Sequence, residues 1–332
     1  MPRTADIQTD PKDVADRIRS GDRRALARAL TFVESRRADH RAWAEALLTE
    51  IMPDTGGAYR VGLSGVPGVG KSTLIEALGD HVTEAGHRIA VLAVDPSSKR
   101  SGGSILGDKT RMETLSRNPA AFIRPSPAGE TLGGVARRTR ESMLLCEAAG
   151  FDIILVETVG VGQSETAVAA MTDIFVLMLL PAGGDELQGM KKGIVELADL
   201  ILVNKADGDL KDQARRTAAD YHGALRLLGK PKHRSEVGVM ACSAATRDGV
   251  AEIWSRAQSF MDEAKDAGAL TQRRAEQAKS WLWEEASAAL IDALRADDAV
   301  NGIVQDVEDA VTTGTLPASV GAKRLVDALL RR

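Results

Sequence analysis

The sequence predicts an α/β protein with a mostly parallel, doubly wound sheet, flanked by N-terminal helices and a C-terminal helical arm. Three observations carry this. Short apolar runs alternate with helical patterns through the middle of the chain. Several of those runs are continuously apolar, as strands buried on both faces are. The strand signal stops near residue 268, and helical patterns follow to the end.

From Lys12 to Glu50 the chain reads as helices, with amphipathic segments over Asp13–Ile18, Arg23–Val33 and Asp39–Met52. The turn-rich stretch Pro53-Asp54-Thr55-Gly56-Gly57 closes an N-terminal helical extension of residues 1–57. Residues 58–267 hold the sheet. Its candidate strands are Tyr59–Ser64, Arg88–Val94, Phe122–Arg124, Phe151–Glu157, Ile174–Leu180, Leu200–Val203 and Val237–Cys242. Helices fill the gaps, notably Leu132–Ala149, Leu210–Leu228 and Val250–Ala267. Residues 268–332 read as three helices, Gln272–Arg295, Val300–Thr312 and Ala318–Leu330. That set is too small to be a comfortable independent domain.

Composition narrows the classes. The chain has 332 residues, 44% of them hydrophobic, which allows a sizeable core. Net charge is −4, and acids interleave with the arginines, so nothing points to nucleic acid. Cys146 and Cys242 lie far apart, with no disulfide framework or zinc spacing, which fits a reducing cytoplasm. The N-terminus lacks the apolar core of a secretory signal. The longest apolar runs, such as Ile174–Leu180, are too short to span a bilayer.

Residues Gly65-Val66-Pro67-Gly68-Val69-Gly70-Lys71-Ser72 form a complete G-x-x-x-x-G-K-S phosphate-binding loop. It lies between a strand-like run and a helix-like stretch that opens at Thr73, the context such a loop needs. The glycines let several backbone N–H groups face phosphates, and the helix N-terminus adds partial positive charge. Lys71 can reach the β- and γ-phosphates, and the Ser72 hydroxyl can ligate Mg²⁺. The fold expected is therefore a P-loop NTPase.

Asn204-Lys205-Ala206-Asp207 follows an apolar strand, at the edge where open α/β sheets bind ligands. The Asp207 carboxylate can accept hydrogen bonds from N1–H and the 2-amino group of guanine. Adenine offers neither, and a buried carboxylate left unpaired disfavours it strongly. Such a tetrapeptide is weak alone and strong downstream of a phosphate loop. Cys242-Ser243-Ala244 resembles the loop that supports guanine in GTPases, with a strand-to-helix turn as the plain alternative. The expected ligands are GTP and GDP with Mg²⁺.

Three carboxylates are candidates for the metal and for catalysis beside Lys71. Glu157 ends a buried strand in Glu157-Thr158-Val159-Gly160, and the Gly160 N–H can meet the γ-phosphate. Mg²⁺ keeps several waters, so Glu157 would act through one of them. Asp95 ends another apolar strand, and Asp108 lies in a Gly/Ser-rich loop of the kind that senses nucleotide state. Each carboxylate can equally be a helix cap or turn residue. No glutamine follows Gly160 directly, and Gln163 suits a helix start better than a catalytic post. Hydrolysis should then be slow until a partner or second subunit completes the site.

Together, G-V-P-G-V-G-K-S, V-D-P-S-S, G-D-K-T-R-M, E-T-V-G-V-G-Q-S-E and N-K-A-D closely resemble the MeaB/ArgK family of GTPases. The resemblance runs from about Lys12 to the C-terminus. It implies that GTP binding and hydrolysis gate adenosylcobalamin delivery to methylmalonyl-CoA mutase and protect that enzyme from inactivation. It also implies a homodimer held by the C-terminal arm. The family's mobile segment matches Pro181 to Lys191, giving Asp185, Glu186 and Lys191 a signalling role; an ordinary connection with Asp185 near a cap is the other reading. Two further functional classes stay open. One is phosphate transfer to a small molecule, which the guanine signature argues against. The other is metal delivery, which the scattered histidines do not favour. Arg137, Arg138 and Arg140 suit a solvated helix face or subunit ion pairs. Trp281 and Trp283 suit core or dimer packing.

Overall fold

The computed structural model describes residues 9–35, 37–94, 112–125, 132–158, 164–181, 192–228 and 238–330. It forms two compact units, Met1–Thr271 and Gln272–Arg332.

The first unit opens with helices α1 (Pro11–Arg19), α2 (Arg23–Val33) and α3 (Ala38–Ile51). Asp10 caps α1 by accepting from Lys12 N at 2.9 Å, and Asp22 caps α2 by accepting from Arg24 N and Ala25 N. Their apolar stripes meet through Ile18, Leu26, Leu30, Leu47 and Ile51, all fully buried. These helices fall inside the first unit, because α2 and α3 also pack on α6 (Leu132–Ala148). Arg41 donates to both oxygens of Glu141 on that helix, at 3.0 and 2.9 Å.

The sheet has seven parallel strands in the order β3-β2-β4-β1-β5-β6-β7. In chain order they are β1 (Tyr59–Gly65), β2 (Ile89–Val94), β3 (Ala121–Arg124), β4 (Ile153–Thr158), β5 (Ile174–Leu179), β6 (Leu200–Val203) and β7 (Gly238–Ala241). All seven predicted strands are present, with ends shifted by one or two residues. Every residue of β5 and β6 is buried, which is why both read as unbroken apolar runs. Interposed are α4 (Lys71–Glu84), α5 (Glu113–Arg117), α7 (Ser164–Ala169), α8 (Lys192–Leu197), α9 (Lys211–Leu228) and α10 (Val250–Asp266).

Helices α4 and α10 pack together, and their residues Leu74, Ile75 and Ile253 bury Leu63 and Val176 of the sheet. Helix α7 covers β1, β4 and β5. It lies close because residue 62 is glycine: a Cβ there would sit 2.9 Å from Val168 and 2.8 Å from the Thr172 hydroxyl. The chain leaves β1 toward β2 on one side and leaves β5 toward β6 on the other. Such a reversal of strand order opens a crevice at the carboxyl ends of the strands. The end of β1 lies at that crevice.

The second unit holds most of α11 (Ala269–Ala296), then α12 (Asp298–Asn301), α13 (Val304–Thr312) and α14 (Ala318–Leu330). The helix expected over Val300–Thr312 is thus two, broken at Gly302–Ile303, and Asp297 caps the first of them. Gly321 lets α14 approach α13, since a Cβ there would meet Val311 and Val307 at about 3 Å. Trp283 is 66% exposed, so it is not core. Leu282, Leu290, Ile291 and Leu330 are exposed with it, because helices this few enclose little volume. Among the described residues no helix is long and apolar enough to cross a membrane.

Candidate nucleotide-binding site

The loop between β1 and α4 takes its shape from its glycines. Gly65, Gly68 and Gly70 have φ of +154°, +78° and +99°. A Cβ at Gly65 would lie 2.7 Å from the Met178 carbonyl oxygen, and one at Gly70 would lie 2.5 Å from Asn204 Nδ2. Both positions need glycine for conformation and for space. Val69 is fully buried and anchors the turn by donating to the Val66 carbonyl at 3.2 Å. Val66 is half-buried, while Pro67 and Gly68 are exposed.

Helix α4 begins at Lys71, with Gly70 as a cap that supplies no side-chain bond. The N–H groups of its first turn have no partner within the helix, which suits them to an anion. Ser72 is half-buried and Thr73 exposed in that turn. Lys71 is 8% exposed, and its ammonium donates to the Gly65 carbonyl at 2.6 Å and the Val66 carbonyl at 3.3 Å. Burial pushes its pKa down, opposed by the negative charges of Glu157 and Glu165.

Glu157 is half-buried near the end of β4, in register with Leu63 of β1. The next residue, Thr158, donates its hydroxyl to Ser64 at 2.8 Å, tying the β4 end to the root of the phosphate loop. Glu165 carries no assigned role in the sequence reading. It lies in the first turn of α7, is 4% exposed, and its Oε2 has no hydrogen-bond partner among the described residues. The neighbouring Ser164 hydroxyl is buried and likewise unpartnered. A buried acceptor left unpaired costs roughly 1–3 kcal/mol. Such an oxygen is a hard acceptor of the kind that Mg²⁺ or its bound waters take.

The second loop pair joins the first through Asn204, which is 2% exposed. Its Nδ2 donates to the Val69 carbonyl at 2.7 Å, and its Oδ1 accepts from Ala244 N at 2.9 Å. The Cys242 thiol lies 3.7 Å from the same oxygen. Burial, with a smaller push from Asp248, raises that thiol to about 12. Asp207 accepts from the Ser243 hydroxyl at 2.7 Å, and Ser243 Oγ accepts from Thr246 N. Lys205 between them is exposed and holds φ at +61°, a backbone state rare outside glycine. Asp207 keeps its second carboxylate oxygen for a further donor.

The structure thus brings Lys71, Ser72, Glu157, Asn204, Asp207, Ser243 and Ala244 to one end of the sheet. Asp95, Asp108, Gly160, Gln163, Asp185, Glu186 and Lys191 lie outside the described residues. Sequence reasoning missed Glu165 and the bond from Asn204 to the phosphate loop. A lone acid in the apolar stretch Ser-Glu-Thr-Ala-Val-Ala was the one available signal for Glu165.

A glycine loop running into a lysine at a helix start, beside the central strand of a parallel sheet, defines a P-loop nucleotide-binding protein. Comparison with known proteins makes this specific. Residues 26–299 match the family model described as "Methylmalonyl Co-A mutase-associated GTPase MeaB", and the chain belongs to that family of GTPases. A Caulobacter vibrioides relative is 54% identical over 319 residues, covering 96% of this chain and 98% of its own. "GTPase ArgK" of Escherichia coli is 45% identical, over 93% of each chain. "Methylmalonic aciduria type A homolog, mitochondrial" of Mus musculus is 47% identical, over 94% of this chain and 78% of that protein. A solved structure titled "LAO/AO transport system kinase" superposes with a TM-score of 0.76 at 37% identity, covering 98% of this chain and 99% of that one.

Proposed function

We propose that this GTPase is a chaperone of methylmalonyl-CoA mutase, gating adenosylcobalamin loading and protecting the enzyme from inactivation. The observation that carries the reading is Asn204: it bonds the phosphate loop at Val69 and the guanine-side loop at Ala244. Base and phosphates are then recognised by one connected element, as a protein that reads nucleotide state requires. The mutase and cobalamin come from the family's description and the family resemblance.

In this reading residues 65–73 hold the phosphates, with Lys71 neutralising charge on the β- and γ-groups. Asp207 selects guanine, with Asn204, Lys205, Ser243 and Ala244 shaping the pocket wall. Mg²⁺, when bound, supplies charge neutralisation across the β- and γ-phosphates; Ser72, Glu157, Asp95 and Asp108 are the residues assigned to hold it. Gly160 meets the γ-phosphate, and Asp185, Glu186 and Lys191 signal nucleotide state to the mutase. The protein works as a cytoplasmic homodimer, and the exposed Leu282, Trp283, Leu290 and Ile291 support the C-terminal unit as its interface.

The test is steady-state GTP hydrolysis with and without methylmalonyl-CoA mutase, for wild type and for an alanine triple variant of Asp185, Glu186 and Lys191. The mutase should stimulate wild type, and the variant should lose most of that while keeping its GDP affinity. Equal stimulation of both removes the signalling role. Stimulation of neither removes the client. Phosphate appearing on an added small molecule instead of in water would replace the reading with a kinase.

A further inference from the structure

We infer that Glu165 is a positioning residue for the divalent cation beside the phosphate loop, its buried Oε2 accepting a hydrogen bond from one of that cation's waters. The inference rests on the Mg²⁺ reading above and adds a residue to it.

Glu165 is buried, yet among the described residues Oε2 has no hydrogen-bond partner. A buried carboxylate oxygen is costly to leave unpaired unless a donor reaches it. Lys71 does not serve: its ammonium donates to the Gly65 and Val66 carbonyls. Glu165 lies in the first turn of α7, the helix that follows the carboxyl end of β4, where Thr158 bonds Ser64 at the root of the phosphate loop. That places the carboxylate at the phosphate end of the sheet. Its position is held by packing: α7 rests on β1, β4 and β5, fitted against the bare backbone at Gly62. Glu165 is therefore buried in a packed element at that end of the sheet. Water bound to a cation is a strong O–H donor, and Mg²⁺ retains several waters in nucleotide sites. The adjacent Ser164 hydroxyl, also buried without a partner, offers the same water network a second contact.

Glu165→Ala and Glu165→Gln in the full chain test this through release of a fluorescent GDP analogue at graded Mg²⁺ concentrations. Removing an outer-shell partner typically weakens metal binding by about 10–100-fold. The Mg²⁺ concentration that half-maximally slows GDP release should rise by that factor in Glu165→Ala and by less in Glu165→Gln. Affinity for GDP in excess EDTA should stay within about threefold of wild type, since the residue acts through the cation. A variant with native circular dichroism and an unshifted Mg²⁺ midpoint overturns the inference. If Glu165→Ala does not fold, the isosteric Glu165→Gln decides it by the same midpoint. Wild-type release indifferent to Mg²⁺ overturns the metal reading and this inference with it, whereas Mg²⁺-dependent wild type with unshifted variants overturns the inference alone.

Discussion

Asn204→Ala should weaken GDP binding by about thirtyfold or more. The side chain pairs two groups that are otherwise buried: the Val69 carbonyl, at 2.7 Å, and the Ala244 N–H, at 2.9 Å. Val69 and Ala244 are both buried. Each group left without a partner costs roughly 1–3 kcal/mol, so the lower bound for the two is about 2 kcal/mol. At about 1.4 kcal/mol per decade, that corresponds to about thirtyfold in affinity. The penalty falls on the complex. Without nucleotide the two loops can shift and let water pair both groups, whereas bound phosphates and base hold the loops in place and exclude that water. Isothermal titration with GDP measures the effect, with circular dichroism to confirm the fold. Asn204→Asp is the informative companion: it keeps an acceptor for Ala244 but turns an oxygen toward the Val69 carbonyl, so it should also bind weakly. A folded Asn204→Ala variant binding GDP within threefold of wild type would refute the coupling argument.

Asp207→Asn should lose GDP affinity and gain xanthosine diphosphate, whose 2-oxo group suits an amide donor; unchanged GDP binding by calorimetry would remove Asp207 from the base site. Lys71→Ala should lose nearly all hydrolysis, because a buried ammonium aimed at phosphates typically contributes several kcal/mol to the transition state; near-normal turnover in a folded variant would mean the loop is misread. Ending the chain after Thr271 removes the exposed apolar residues of the second unit and should leave a monomer by light scattering, against a dimer for the whole chain. Cys242 is raised to about 12 and Cys146 further still, both by burial, so at pH 8 only about one Cys242 thiol in 10⁴ is ionised. A disulfide-exchange dye should therefore find no thiols in the native protein and both after guanidinium unfolding.

The sheet was legible because its causes are local. Strands such as Ile174–Leu179 and Leu200–Val203 are buried on both faces, and that alone makes them unbroken apolar runs. The phosphate loop was legible for the same reason: Gly65 and Gly70 hold positive φ, a local backbone demand that glycine meets. Strand order was not legible. That β4 sits between β2 and β1 depends on crossovers that span much of the chain, and no short stretch encodes them. The break at Gly302–Ile303 was missed because the apolar spacing continues through it, while Asp297 restarts the helix upstream.

Within the site, what escaped the sequence has one physical cause. Asn204 is visible as part of a guanine signature, but its bond to Val69 joins residues 135 apart in sequence. Only the parallel packing of β6 beside β5, and β5 beside β1, carries its side chain to the phosphate loop. Glu165 is a stronger case. An acid followed by Thr-Ala-Val-Ala reads as the polar start of a short helix. Its burial depends on the packing of α7 on the sheet, which Gly62, about a hundred residues earlier in the chain, allows by leaving room for Val168. A motif search sees the residues that touch phosphate or base through local geometry. The residues that couple those contacts to each other are set by tertiary packing, so Asn204→Ala and Glu165→Ala should alter coupling and metal dependence in ways that the loop sequence alone does not forecast.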